Sequence, residues 1–153
     1  MSNAKQPTRR EFLKTSSTAA AGLALSGGLG IARGAHAVGS DVLKIALIGC
    51  GGRGQGAAEN CLTANENVKV VAVADAFEGR AKGAAGGLNQ KFKAEGKADI
   101  TPDRIFVGLD AYKKAIDCGI DMIIQATPPG FRPSHYAYAI KAGKHVFMEK
   151  PCC

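Results

Sequence analysis

The chain has 153 residues, of which 46% are hydrophobic and 22% are charged, with 20 Lys and Arg residues against 13 Asp and Glu residues. Five of the basic residues and one of the acidic residues lie within the first 37 positions, which leaves 15 against 12 in the remainder. The excess positive charge therefore belongs mainly to the N-terminal segment. The remaining Lys and Arg residues are scattered and are not interleaved with aromatic residues, which argues against nucleic-acid binding.

The first feature in chain order is a candidate export signal. Residues 8–14 read Thr-Arg-Arg-Glu-Phe-Leu-Lys, a weakly apolar stretch covers about residues 15–32, and residues 35–37 read Ala-His-Ala, a small-residue cleavage pattern. The apolar stretch is too short and too rich in glycine to predict a membrane span. We predict a twin-arginine signal peptide over residues 1–37, with export to the periplasm or an equivalent destination through the twin-arginine machinery. A disordered basic tail is the alternative.

The next feature is a glycine-rich turn after the first predicted strand, Leu43–Ile48. Gly49, Gly51 and Gly54 follow the spacing G-x-G-x-x-G. In this pattern the first glycine permits a sharp turn, the second lets a pyrophosphate approach the backbone, and the third lets the next helix pack close to the sheet. We therefore predict that the whole turn binds a dinucleotide through these residues: Gly49, Cys50, Gly51, Gly52, Arg53 and Gly54. A tight strand–helix turn with no ligand is the alternative.

An acidic residue closes the second predicted strand. The apolar run from Val68 to Ala74 stops at Asp75, which lies 21 residues after Gly54. A carboxylate there can accept hydrogen bonds from the ribose hydroxyls of adenosine. It also repels a 2′-phosphate, which favours NAD over NADP, although Arg80 nearby leaves NADP open.

The rest of the chain alternates helical stretches with apolar runs. The patterns predict helices over about Gly54–Ala64, Gly79–Glu95, Asp110–Asp117 and Pro133–Ala142, and strands over Ile105–Val107, Met122–Ala126 and His145–Met148. Asp110 is expected to cap its helix, and Gly119 to end it. Alternating strands and helices predict a Rossmann-type, doubly wound parallel α/β sheet in three layers (α/β/α), with the strand order 3-2-1-4-5 over residues 38–153.

The cysteines predict no metal site. Cys50, Cys61, Cys118, Cys152 and Cys153 form no C-x-x-C pattern and have no histidine at metal-ligand spacing. Small packing residues are the simpler interpretation, although the adjacent pair at the end of the chain leaves oxidation or soft-metal binding open.

Four landmarks in order carry a family resemblance. They are the glycine turn, Asp75, the segment Ala126-Thr127-Pro128-Pro129, and residues 142–151, which read Ala-Gly-Lys-His-Val-Phe-Met-Glu-Lys-Pro. Over about residues 42–151 the chain resembles the N-terminal half of the Gfo/Idh/MocA oxidoreductases. The last block is the most specific of the four.

The resemblance implies a second, C-terminal α/β domain. In the family that domain supplies much of the substrate pocket, the oligomer interface and an Asp/His pair for proton transfer. Because this chain stops just after Pro151, we expect a fragment of a homo-oligomeric protein. We expect the fragment to bind cofactor but to turn over poorly by itself.

The carboxyl ends of the strands gather the candidate functional residues. Thr127 and Pro128 are expected to line the nicotinamide side, and Glu149 to orient Lys150 or meet the nicotinamide ribose. Lys150 is the candidate catalytic residue, since an ammonium beside a reacting hydroxyl stabilises a developing alkoxide. For each of these residues an ordinary surface or turn role is the alternative.

Two histidines give weaker indications of function. His135 follows the Thr127 loop and could face the substrate pocket, but a lone helical histidine is more often structural. His145 is expected to begin a buried strand.

Three functions fit the sequence. The leading one is an exported NAD(P)-dependent oxidoreductase that transfers hydride between a nicotinamide cofactor and a sugar, sugar derivative or polyol. The alternatives are an NAD-dependent glycoside hydrolase on the same fold and a non-catalytic nucleotide-binding protein.

Overall fold

The computed structural model describes residues 42–151. The predicted signal peptide over residues 1–37, and its boundary with the folded domain, lie outside the described residues.

Five strands form one sheet, and their order is β3-β2-β1-β4-β5. All four neighbouring pairs are parallel, so the predicted sheet and its strand order are confirmed. The strands are β1 Leu43–Ile48, β2 Val68–Asp75, β3 Ile105–Val107, β4 Met122–Gln125 and β5 His145–Met148.

Four helices cover the two faces of the sheet: α1 Gly52–Ala64, α2 Glu78–Phe92, α3 Ala111–Asp117 and α4 Arg132–Lys141. Side chains alternate along β1, so that Ile45 and Leu47 share one buried cluster with α1 and α2. Ala46 and Ile48 belong to the other cluster, which contains residues of α3 and α4. The helices therefore lie in pairs on opposite faces, as the predicted three-layer arrangement requires.

Several element boundaries differ from the predicted ones. Helix α1 begins at Gly52 rather than Gly54, because the first N–H groups of a helix need no intrahelical acceptor and turn residues can join it. Helix α2 ends at Phe92, before the turn that contains Gly96 in a left-handed conformation with φ +73°. Strand β4 ends one residue early at Gln125, and α4 is shifted one residue towards the N-terminus.

Two local predictions are wrong. Asp110 precedes α3, but its side chain does not cap the helix and instead pairs with Lys113 at 2.7 Å. His145 does not begin a buried strand, because β5 is an edge strand whose residues alternate between exposed and half-buried. Phe147, on the same strand, is 50% exposed.

None of the helices within residues 42–151 is both long enough and apolar enough to cross a membrane.

Candidate functional site

The carboxyl ends of the parallel strands open into one cleft of about 630 Å³. Residues from the turn after β1, the end of β2 and the loops after β3, β4 and β5 line it. The sheet order reverses between β1 and β4, and helices leave the sheet on opposite faces at that point. Ligands of open α/β sheets bind at this kind of crevice.

The three spaced glycines of the turn have different surroundings. Gly49 has φ +94°, and a Cβ on it would lie 2.7 Å from the backbone carbonyl carbon of Ala126. A Cβ on Gly54 would lie 2.0 Å from the carbonyl oxygen of Gly49. Gly51 differs, because a Cβ there would meet nothing within 4 Å. The outer glycines are therefore required by the fold, whereas Gly51 leaves open space beside the backbone, as a bound diphosphate needs.

The N-terminus of α1 adds a favourable environment for an anion. Gly51 occupies the N-cap position with no side-chain cap, and the first turn of the helix contains no acidic residue. The N–H groups of a first helical turn have no intrahelical acceptors, and the helix dipole places partial positive charge there. A diphosphate fits this end of the helix.

Asp75 is fixed at the end of β2 by two backbone N–H groups. The N–H of Cys50 donates to its Oδ2 at 2.7 Å, and the N–H of Phe77 donates to its Oδ1 at 2.9 Å. Each carboxylate oxygen can accept a further bond, so both can still receive ribose hydroxyls. Arg80, which also lines the cleft, places its guanidinium 5.1 Å from the ring centroid of Phe77.

Cys50 contributes to the site through its backbone N–H, which bonds Asp75, and not through its thiol. The side chain is fully buried, and Sγ lies 3.5 Å from the carbonyl oxygen of Ala74. Burial, and to a lesser extent the charge of Asp75, raise the pKa of the thiol to about 12. A thiol that stays protonated is a poor nucleophile and a poor metal ligand.

Arg132 joins the two loops on the other side of the cleft. Its side chain is 5% exposed, and its Nε–H donates to the carbonyl of Thr127 at 2.6 Å. Its Nη1–H groups donate to the carbonyls of Glu149 and Pro151. The loop after β4 is thereby held against the loop after β5.

An ion pair crosses the cleft between α1 and the loop after β5. Both nitrogen-to-oxygen contacts between Arg53 and Glu149 are present, one from Nε to Oε2 and one from Nη2 to Oε1 at 3.1 Å. The hydrogen bond from Arg53 holds the pKa of the Glu149 carboxyl below its ordinary value, and the same pairing raises the pKa of Arg53. Lys150 follows directly and is exposed at the cleft.

Aromatic rings form one wall of the cleft. The rings of His135 and Tyr112 stack with centroids 4.0 Å apart, and Phe131 lies 6.2 Å from His135. Nδ1 of His135 is 3.5 Å from Oγ1 of Thr127. Burial lowers the pKa of His135, which favours a neutral imidazole in this wall.

The structure brings eight of the eleven predicted binding residues to the cleft: Gly49, Gly51, Arg53, Asp75, Thr127, Pro128, Glu149 and Lys150. Their roles in binding stay predictions. Cys50, Gly52 and Gly54 do not line it. Cys50 is buried beneath the turn, Gly52 is the first residue of α1, and Gly54 packs against Gly49.

Several lining residues were missed from the sequence: Leu109, Tyr112, Phe131 and Arg132. The aromatic residues had a weak signal, since Phe131 follows the proline-rich loop at the end of a strand. Arg132 had none, because its three acceptors are backbone carbonyls that come together only in the fold.

Within residues 42–151 no group of three or more His, Cys, Asp or Glu side chains is arranged to hold a metal ion.

Comparison with known proteins agrees with this geometry. Residues 43–153 match GFO_IDH_MocA, an oxidoreductase family with an NAD-binding Rossmann fold. The match confirms the predicted fold and its NAD-binding class.

Two curated relatives and one solved structure are similar to the chain. The scyllo-inositol 2-dehydrogenase (NAD(+)) of Bacillus subtilis (strain 168) is 30% identical over 109 residues, 71% of this chain and 28% of that protein. A glycosyl hydrolase family 109 protein of Solibacter usitatus (strain Ellin6076) is 29% identical over 149 residues, 94% of this chain and 33% of that protein. The structure of scyllo-inositol dehydrogenase from Lactobacillus casei with bound NAD(H) and scyllo-inositol has a TM-score of 0.54 and 26% identity, covering 73% of this chain and 29% of that chain. The chain spans about a third or less of the length of each of these proteins.

Proposed function

This chain belongs to the Gfo/Idh/MocA oxidoreductase family, and on that premise we propose that the whole protein is an exported NAD-dependent dehydrogenase acting on a polyol, sugar or sugar derivative. The observation that carries the proposal is the single cleft that gathers the glycine turn, Asp75, the Thr127 loop and Lys150. The inositol dehydrogenases among the similar proteins support the substrate class.

Different residues of the cleft bind different parts of the cofactor. The open backbone at Gly51 and the N-terminus of α1 hold the diphosphate. Asp75, fixed by two N–H groups, holds the adenosine ribose. Thr127, Pro128 and Glu149 face the nicotinamide half.

Lys150 carries the chemistry of this domain. When bound, NAD supplies the acceptor for the hydride that leaves the substrate carbon. The ammonium of Lys150 stabilises the negative charge that develops on the substrate oxygen, and the hydroxyl proton passes to the Asp/His pair that the family resemblance implies in the C-terminal domain. The ion pair with Arg53 lowers the pKa of the Glu149 carboxyl and keeps that neighbour of Lys150 ionised, with its charge balanced by the guanidinium.

Replacing Lys150 tests this role in the full-length protein. Lys150→Ala should lower kcat by about 10²-fold or more with NAD and a panel of inositols and sugars. Lys141→Ala, at the end of α4 and away from the cleft lining, is the matched control. Turnover by Lys150→Ala close to that of the control would remove the lysine from the mechanism.

Export through the twin-arginine route is part of the proposal. The Thr-Arg-Arg-Glu-Phe-Leu-Lys pattern of residues 8–14, the apolar stretch after it and the Ala-His-Ala pattern at residues 35–37 support it. Replacing Arg9 and Arg10 together by Lys should retain the protein in the cytoplasm. Unchanged fractionation of that variant would contradict the route.

We also propose that the full-length protein is a homo-oligomer, which sedimentation can test.

A second candidate is an NAD-dependent glycoside hydrolase. The observation that favours it is the similarity to the glycosyl hydrolase family 109 protein. A hydrolase of this kind would release the aglycone from an aryl glycoside with no net change in NADH absorbance. A dehydrogenase would accumulate NADH, and a non-catalytic nucleotide-binding protein would bind NAD and do neither.

A further inference from the structure

We propose that Arg132 is a positioning residue that fixes the loop of Glu149, Lys150 and Pro151 against the loop of Thr127 and thereby places Lys150 at the cleft. The inference deepens the proposed function, because it rests on Lys150 being the group beside the substrate oxygen.

The acceptors of Arg132 surround Lys150 in the chain. The Nη1–H groups of Arg132 donate to the carbonyls of Glu149 and Pro151, the residues on either side of Lys150. The backbone of Lys150 is therefore held on both sides by one guanidinium. Nε–H of the same guanidinium donates to the carbonyl of Thr127, in the loop after β4, at 2.6 Å.

Gln125 extends this network to the sheet. Its side chain is fully buried, and its Nε2–H donates to the carbonyl of Arg132 at 3.1 Å. The N–H of Glu149 donates to the carbonyl of Gln125 at 3.0 Å. The start of α4, the ends of β4 and β5 and both cleft loops are thus tied into one hydrogen-bonded unit.

The lysine side chain itself is held by little else. Within the described part of the chain, the Lys150 ammonium makes no ion pair and no hydrogen bond. Because the stem of a lysine is flexible, the position of its backbone sets the region that the ammonium can reach. A displacement of about 1 Å at a reacting group can cost about 10²-fold in rate.

An arginine suits this position and a lysine does not. The planar guanidinium presents several N–H donors in fixed directions, so it can bond three carbonyls from two loops at once. An ammonium is a point donor on a flexible stem and would satisfy fewer of them. Each carbonyl that loses its donor weakens the connection between the loops.

A double-mutant cycle in the full-length protein tests the proposal. Arg132→Lys should lower kcat by about 10²-fold. The dissociation constant for NAD, measured by calorimetry, should change by a much smaller factor, because the turn after β1 and Asp75, which hold the diphosphate and the adenosine ribose, do not contact Arg132. In the Lys150→Ala background the same substitution should have no further effect on kcat, because Arg132 acts through Lys150. Arg104→Lys is the matched control, since Arg104 is a half-buried arginine that donates to the carbonyl of Cys118 away from the cleft lining.

The outcomes separate this inference from the proposed function. An equal loss of kcat from Arg132→Lys in both backgrounds, or no loss in either, overturns the positioning role while Lys150 keeps its own. Wild-type turnover by Lys150→Ala overturns both. If Arg132→Lys does not fold, a crystal structure of the wild-type protein decides. Bonds from Arg132 to the carbonyls of Glu149 and Pro151 support the inference, and a side chain directed elsewhere overturns it.

Discussion

The backbone N–H of Cys50 donates a hydrogen bond of 2.7 Å to Oδ2 of Asp75, and this bond ties the glycine turn after β1 to the end of β2. The two parts of the cleft that are predicted to hold the diphosphate and the ribose therefore form one rigid unit. The carboxylate is oriented before any ligand arrives, which lowers the entropic cost of binding.

Asp75 is predicted to select NAD against NADP. Asp75→Ser removes the negative charge that repels a 2′-phosphate, while Arg80 remains in the same cleft to attract it. The ratio of the NADP to the NAD dissociation constant should fall by about tenfold, which corresponds to about 1.4 kcal/mol. Asp75→Ser combined with Arg80→Ala is the control and should lose most of that gain. An unchanged ratio in Asp75→Ser would show that the side chain does not reach the ribose.

Substitutions at different glycines of the turn should affect different quantities, one the free energy of unfolding and the other the affinity for NAD. Gly51→Ala is compatible with φ −69° and ψ 175°, so it should keep or slightly raise the free energy of unfolding, by about 0.5 kcal/mol. It should nevertheless weaken NAD binding by tenfold or more, about 1.4 kcal/mol, because its methyl group fills the space for the diphosphate. Gly54→Ala should instead destabilise the fold by about 3 kcal/mol. Urea unfolding and calorimetry measure both quantities, and unimpaired NAD binding by Gly51→Ala would contradict the site.

His135 should make stability depend on pH. Burial lowers its pKa in the folded protein below the ordinary value of 6.5, so the unfolded chain takes up a proton first as the pH falls. The contribution to stability is therefore fully present above pH 6.5 and is lost as the pH falls towards the folded pKa. The melting temperature should drop over this range, and less so in His135→Phe, which keeps a ring against Tyr112. His145→Gln is the control for loss of a histidine as such. Equal pH dependence in wild type and His135→Phe would be inconsistent with the burial.

Cys50 should be unreactive in the folded protein. Its pKa is raised from 9.0 to about 12, so iodoacetamide at mildly alkaline pH should alkylate it far more slowly than in urea. Cys61 and Cys118, which are half-buried, are internal references for peptide mapping. Because the unfolded thiol ionises first, its contribution to stability is present below pH 9.0 and is lost as the pH rises towards 12. Rapid labelling of Cys50 in the native protein would refute this.

Much of the fold could be predicted from local patterns. Apolar runs bounded by glycine or acidic residues gave the bounds of β1, β3 and β5 as they are found. The strand order followed from the rules for parallel sheets. The apolar run of β5 alone does not show that the strand is half-exposed, because such a run has the same pattern at the edge of a sheet as in its centre. The predicted strand order does place β5 at the edge, so its exposure follows from the topology and not from the local pattern.

The candidate site was predictable only where function depends on local spacing. The glycine turn and Asp75 carry their spacing in the sequence, and Lys150 stands in a specific block of residues. The ion pair of Arg53 with Glu149 joins residues 96 positions apart. The role of Arg132 depends on backbone carbonyls, which every residue possesses. Neither contact leaves a pattern in the sequence, so only the fold reveals them.

The proposed function depends above all on the turn after β1 binding the diphosphate of NAD. A crystal structure of the full-length protein with NAD tests it most directly. We expect diphosphate oxygens about 2.7–3.2 Å from the backbone nitrogens of residues 51–53, ribose hydroxyls on the carboxylate of Asp75, and the nicotinamide beside Lys150. NAD bound elsewhere, or a carboxylate of Asp75 directed away from the ribose, would contradict it.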